Sequence, residues 1–268
     1  MRPKIFDCIT FFQENMISNI RFEILNNCVD YFVVCESKYD HKGKKKKLNF
    51  RILNKKFKHK VIYLVLDKPF DLNNSAWENQ AIQREFILRC LNSIGPEDYI
   101  MFSDPDEIPN PKTLKNLKLK KKYGIFLQKM YCYKFNLFNK EESPWEGTRI
   151  CKKKNLESID YMRQKILMKN LNKSFFKFYI EKDIEIFQNG GWHFNSIISP
   201  SEISKKLKTF AHVEFSKKKY SDIKIIQQNI KEHKDLVGRN IYYKKENLNN
   251  SFPKYILKNK NNLKKWIL

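Results

Sequence analysis

Acidic residues are scarce in this chain: 29 Asp and Glu stand against 53 Lys and Arg, a formal net charge of +24. Glycine is scarcer still, at 7 in 268 residues, beside 9 prolines. So few glycines leave no GxGxxG and no GxxxxGK(S/T) pattern, which excludes the usual dinucleotide and P-loop cradles. HExxH and GxSxG are missing as well, and with them the zinc peptidase and α/β-hydrolase readings. No apolar run approaches the roughly 18 residues of a membrane-spanning helix. The opening "MRPKIFDCITFFQEN" makes a poor export signal, because Asp7 and Gln13 break its apolar stretch. The expectation is a cytoplasmic protein that stays where it is made. Six cysteines (Cys8, Cys28, Cys35, Cys90, Cys132, Cys151) form no CxxC pair and sit mostly in apolar runs, so they are expected to be buried free thiols.

What is present points to a globular domain. Hydrophobic residues make up 41% and aromatics 14% of the chain, enough for a substantial core despite the charge. No repeat or linker divides it, so one domain is expected over residues 1–250, with a basic tail, 251–268, packed loosely on it. The lysine excess travels with abundant Asn and Ile throughout, so it is not read as a nucleic-acid footprint. "KGKKKK" at Lys42–Lys47 is the local exception. Such a loop suits phosphates, or a peripheral contact with a membrane surface.

Strand and helix signals alternate through the first half. "KIFDCITFF" reads as a strand, and "NMISNIRFEILNNC" as a helix with Ile17, Ile20, Ile24 and Cys28 at helical spacing. "DYFVVCES" and "HKVIYLVLD" are continuous β-branched runs, as in strands covered on both faces. "SAWENQAIQREFILRCLNSIG" opens on the capping-box pair Ser75 and Glu78 and ends at Gly95. "DYIMFSDPDEIP" is a fourth strand running into an acidic turn. This order predicts an α/β fold: an open, mixed, largely parallel sheet flanked by helices. The second half is less regular. It offers an aromatic strand region, "YGIFLQKMYCYKFNLF", as a hairpin, and a helix, "SPSEISKKLKTFAHVEF", capped by Ser199 or Ser201.

The scarce acids gather where such sheets bind ligands, outside the carboxyl ends of the strands. Asp104, Asp106 and Glu107 fall within "SDPDEIP", and Pro105 stiffens the turn. An Asp-x-Asp pair there fits a divalent cation whose remaining ligands are phosphate and water oxygens. Acidic turns are common, so these residues alone leave a surface turn open. His193 in "GGWHF" and His212 in "FAHVEF" lie in apolar surroundings that suit a core histidine as well as a ligand or acid/base role.

"FDCITFFQE", "VDYFVVCES", "HKGKKKKLNF", "WENQAIQRE", "DYIMFSDPDEIPNP", "WEGT", "GGWHF" and "FAHVEF" follow one another in an order that resembles glycosyltransferase family 17, from about Lys4 to Arg239. The resemblance implies a GT-A type fold, a UDP-sugar donor (UDP-N-acetylglucosamine above all), Mn²⁺ or Mg²⁺, and inversion at the anomeric carbon. The acceptor would be a glycan, polysaccharide or lipid-linked glycan. It makes Asp106 the direct metal ligand, and Asp104 a ligand of the ribose or of the metal through water. Trp77, Glu78, Asn79, Gln80 and Arg84 on the helix before that strand, with Glu36, become donor contacts. Glu146 in "PWEGT" and Glu214 in "AHVEF" are the candidates for the general base. Trp145 and Trp192 are candidate stacking platforms for sugar rings, and His193 or His212 candidate completions of the metal shell. Pro105 and "GKKKK" depart from the family pattern, the second within reach of donor or acceptor contacts. Two alternatives stay open: another UDP-hexose as donor, or a non-catalytic polyanion- or glycan-binding protein on the same scaffold.

Overall fold

A computed structural model describes residues 2–174, 176–209 and 213–268. Its first half is a run of parallel strands joined by helices. β1 (Ile5–Phe11), α1 (Asn15–Leu25), β2 (Tyr31–Ser37), β3 (Val61–Leu66), α2 (Ala76–Glu85) and β4 (Tyr99–Ser103) follow the predicted order. β1 pairs in parallel with both β2 and β4, and β2 with β3. β1, β2 and β4 are buried almost throughout, which is why their sequences show continuous apolar runs instead of alternation. The predicted helix from Ser75 to Gly95 is α2 followed by a tighter 3-10 turn over Phe86–Cys90.

The second half extends the sheet with both antiparallel and parallel strands. β5 (Glu107–Pro109), α3 (Pro111–Lys115), β6 (Tyr123–Cys132), β7 (Leu137–Phe138), β8 (Trp145–Lys152), α4 (Ile159–Lys165) and β9 (Ile184–Asn195) come first. α5 (Pro200–Thr209), α6 (Lys218–Ser221), α7 (Ile223–Lys231), β10 (Lys244–Lys245) and α8 (Lys254–Lys258) complete the described chain. Strand order is β10-β7-β6-β8-β4-β1-β2-β3, with β9 paired to β6 and carrying β5 on its other side. β8 runs antiparallel between β4 and β6, so it joins the parallel half to the rest in one sheet. The expected open, mixed sheet flanked by helices is therefore the observed one, in a single domain. Ser199, not Ser201, caps α5: its hydroxyl accepts the Glu202 N–H while Glu202 accepts back from Ser199.

The six cysteines are free thiols, four of them buried. Burial pushes Cys35, Cys132 and Cys151 up to about 12, so they are held as inert thiols. The segment after Ser251 is not loosely packed. Phe252, Ile256 and Leu263 are buried in the largest core cluster with residues of β1, α1 and β9, and Trp266 packs at its edge. Apolar spacing through a lysine-rich stretch is what places them there. Among the described residues no helix is long and apolar enough to cross a membrane.

Candidate active site

The acidic turn leaves the buried end of β4 and is clamped before the chain re-enters the sheet as β5. Glu107 pairs with His193 across the β5–β9 ladder, and the Phe194 N–H donates to the Asp106 carbonyl at 2.8 Å. From beneath, the fully buried Arg21 of α1 forks Asp7 of β1 at 2.6 and 2.7 Å. Its remaining N–H groups donate to the Glu107 carbonyl at 2.5 Å and the Ser103 hydroxyl at 3.0 Å. The turn is thus held by backbone and by a buried ion pair before any ligand is considered. Gly191 stands where a Cβ would strike the Ile108 carbonyl, and its φ of +138° suits only glycine.

Glu107 is wholly buried and organises the other side chains. Its Oε1 accepts from Trp145 Nε1 and from Arg163 Nη2, each at 2.7 Å; its Oε2 accepts from Arg163 Nη1 and the Asp104 N–H, each at 3.1 Å. Arg163, on α4, also donates to Asp104 at 2.7 Å and so joins the two acids. Asp106 faces His193 and Lys206: His193 Nε2 and Lys206 Nζ each lie 3.6 Å from one of its oxygens, and Lys206 reaches Glu14 at 3.0 Å.

Burial by itself raises a carboxylate, yet both aspartates are held below their usual range. Arg163 and Arg84 outweigh burial at Asp104, and Lys206 and His193 do so at Asp106. The converse holds for His193, which burial lowers but the Asp106 and Glu107 carboxylates raise above its ordinary value. A raised His193 pKa favours the charged imidazole, which suits it as a partner of the Asp106 carboxylate. Its Nδ1 is buried without a hydrogen-bond partner among the described residues. Those residues hold no group of three His, Cys, Asp or Glu arranged for a metal ion. The two aspartates do suit a hard cation that completes its shell with other oxygens: His193 and Lys206 stand 3.6 Å from the Asp106 oxygens, and the Asp104 side chain is 31% exposed.

The polar face of α2 ties strand ends together. Asn79 donates to the His41 carbonyl at 3.0 Å, and Gln83 to the Cys35 carbonyl at 2.9 Å. Arg84, also buried, donates to Asp160 at 2.7 Å and to Gln80 at 2.9 Å, while its Nε has no partner among the described residues. Ser75 and Glu78 form the predicted capping box, and Trp77 stands exposed in the first turn. Glu36 departs from the expected donor contact. It is fully buried and accepts from Lys46 at 2.6 Å, from the Asn49 and Phe50 N–H groups at 2.8 and 3.0 Å, and from Tyr63 at 2.8 Å. Four donors saturate it, so Glu36 anchors the lysine loop and has nothing left to offer a nucleotide.

The family model described as "Glycosyltransferase family 17" matches residues 1–248. The chain belongs to glycosyltransferase family 17. Beta-1,4-mannosyl-glycoprotein 4-beta-N-acetylglucosaminyltransferases of Rattus norvegicus and Homo sapiens are each 32% identical to it over 126 residues, 43% of this chain. Those matches take in 23% and 24% of the two proteins, so the chain spans about a quarter of the length of these curated relatives. Among solved structures, a glycosyltransferase involved in the glycosylation of the major capsid of PBCV-1 aligns over 69% of this chain and 82% of its own, at 14% identity and a TM-score of 0.33. A putative glucose-1-phosphate thymidylyltransferase from Bacillus anthracis aligns over 71% and 88%, at 10% identity and a TM-score of 0.36.

The two tryptophans of this family 17 chain have unlike positions. Trp145 is half-buried at the site, bonded to Glu107, its ring centroid 5.0 Å from that of His193. Trp192 lies on the other face of β9, 7% exposed, with its Nε1 donating to the Ser251 carbonyl at 3.1 Å. It therefore cannot stack a sugar held at Asp106. Glu146 follows Trp145 in β8, beside the site; its Oε2 accepts from Arg149 at 3.2 Å and from the Met168 N–H at 3.0 Å. Glu214 is exposed in the 3-10 turn Val213–Ser216, and His212 lies outside the described residues. Arg163, Lys206, Glu14 and the Asp7–Arg21 pair are the site members that sequence reasoning missed. Only Asp7 left a signal, as a charge inside an apolar strand.

Proposed function

We propose that this chain is a metal-dependent, inverting glycosyltransferase that moves N-acetylglucosamine from a UDP-sugar to a hydroxyl of a glycan acceptor. The observation that carries the reading is the Asp104–Asp106 turn: two carboxylates held below their usual range at the end of β4, in a clamped turn, with Asp104 partly exposed and the Asp106 oxygens 3.6 Å from His193 and Lys206. Asp104 and Asp106 would hold Mn²⁺ or Mg²⁺, which when bound offsets negative charge on the leaving diphosphate. Arg163 and Lys206 hold the two aspartates ionised and add positive charge beside that diphosphate. Inversion asks one carboxylate to take the acceptor proton as its oxygen attacks. Glu146 fits better than Glu214, because it borders the site and its Oε1 has no partner among the described residues.

A thermal-shift panel of UDP-, GDP- and CMP-sugars with and without Mn²⁺ tests the reading on wild type and Asp106→Ala. The expected result is a Mn²⁺-dependent rise with UDP-sugars only, absent from a folded Asp106→Ala chain. A rise with UDP-glucose or UDP-galactose but not UDP-N-acetylglucosamine would name a different donor. No shift with any nucleotide, together with tight salt-sensitive binding of polyanions, would replace the enzyme reading with a binding one.

A further inference from the structure

We propose that a cavity on the face of the β5–β9 ribbon away from the acidic turn binds a saccharide bearing phosphate or carboxylate groups. Trp192 and His193 are successive residues of β9, so their side chains leave the strand on opposite faces. His193 turns to Asp106, whereas Trp192 lines a cavity of about 1050 Å³. That is the size of a large small-molecule site, on the order of 1,000 Å³.

Its walls are cationic. Lys129 is the single exposed position of the ten-residue β6, whose other side chains are all buried, and it stands in register beside Trp192. A lysine set in the middle of a buried strand needs an aqueous space in front of it, and the cavity is that space. Lys112 and Lys115 of α3 and Lys254 and Lys258 of α8 line it too, none with an ion-pair partner among the described residues. The one carboxylate in the lining, Glu23, is already paired with Lys56 at 2.6 Å and accepts from Asn54 at 2.8 Å. Five lysines therefore face the cavity with no acid left to balance them.

Lysines alone would attract any anion. Tyr255, with the edge of the buried Trp192, also lines it and offers ring surface to a sugar, and Asn27 and Asn250 line it with amides that suit hydroxyls. A bilayer is flat and is met by protruding apolar groups. A concave cavity lined with lysines and amides fits a soluble anionic saccharide instead. This inference stands apart from the transferase reading, since neither Asp104, Asp106 nor Arg163 lines the cavity.

Isothermal titration of the full chain with tetragalacturonate, with neutral chitotetraose as control, tests it. Tetragalacturonate is expected to bind and chitotetraose to bind at least about tenfold more weakly, a gap of ~1.4 kcal/mol. Lys129→Gln and the pair Lys112→Gln with Lys115→Gln should each weaken tetragalacturonate about tenfold without lowering the melting temperature, since all three are exposed. Asp106→Asn should bind it as wild type does. Unchanged affinity in Lys129→Gln, equal affinity for chitotetraose, or loss of binding in Asp106→Asn would each overturn the proposal. So would co-sedimentation with phosphatidylserine vesicles while tetragalacturonate fails to bind, which would make the surface a membrane contact.

Discussion

Arg163 touches both acids of the turn that a charge count alone would expect to repel each other: Asp104 at 2.7 Å, and Glu107 at 2.7 and 3.1 Å. Its guanidinium, strengthened by those carboxylates against the opposing effect of burial, stays charged at any working pH. Removing it takes away the charge that keeps the Asp104 carboxyl low. In Arg163→Gln the acid limb of the pH–rate profile should therefore move to higher pH, with kcat/KM down by about 10²-fold; a profile read from pH 4 to 8 checks both. Asp106 makes a stability prediction with a definite sign. Its folded pKa lies below the ordinary 3.8, so its contribution is complete above about pH 4 and fades as pH falls through the folded value. Urea unfolding of wild type and Asp106→Asn should differ most at neutral pH and converge on acidification. A constant gap would mean that Lys206 and His193 do not stabilise the ionised form.

At the scale of elements, the parallel half could be read from sequence because its rules are local. Continuous apolar runs mark buried strands, Ser75 and Glu78 mark the start of α2, and the acidic turn falls at the end of a strand because ligand edges lie there. The partners of that turn could not be read in the same way. Arg163 comes from α4, Lys206 from α5 and Arg21 from α1, and nothing in "YMRQK" or "ISKKLK" distinguishes those cations from the many solvated ones. Glu36 shows the converse. Its place at a strand tip suggested a ligand contact, and only the folded lysine loop reveals that four donors already use it. The Asp7–Arg21 pair is the strongest such tie between elements. Asp7→Asn leaves the fully buried guanidinium short of its counter-charge, and urea denaturation should show a loss of about 3–5 kcal/mol. Replacing both by apolar residues of similar volume should cost less in stability while loosening the acidic turn.

Over the whole molecule, the lysine excess hides how much of the chain is core. Ile256 is fully buried although three lysines stand within four residues of it, and it packs in the same cluster as β1, α1 and β9. Ile256→Ala should cost about 2–5 kcal/mol in a chemical denaturation, as for any well-packed core isoleucine. A loss under about 0.5 kcal/mol would restore the loosely attached tail. The clamp on the acidic turn also sets an order of events during synthesis. Arg21 donates to a carbonyl 86 positions further along the chain. At roughly 5–20 residues per second a ribosome takes about 4–17 s to deliver that acceptor. Until then the guanidinium has Asp7 but no turn to hold, so the ligand edge takes its shape only after β4 has come to lie beside β1. The half-made protein carries the clasp first and receives what it fastens later.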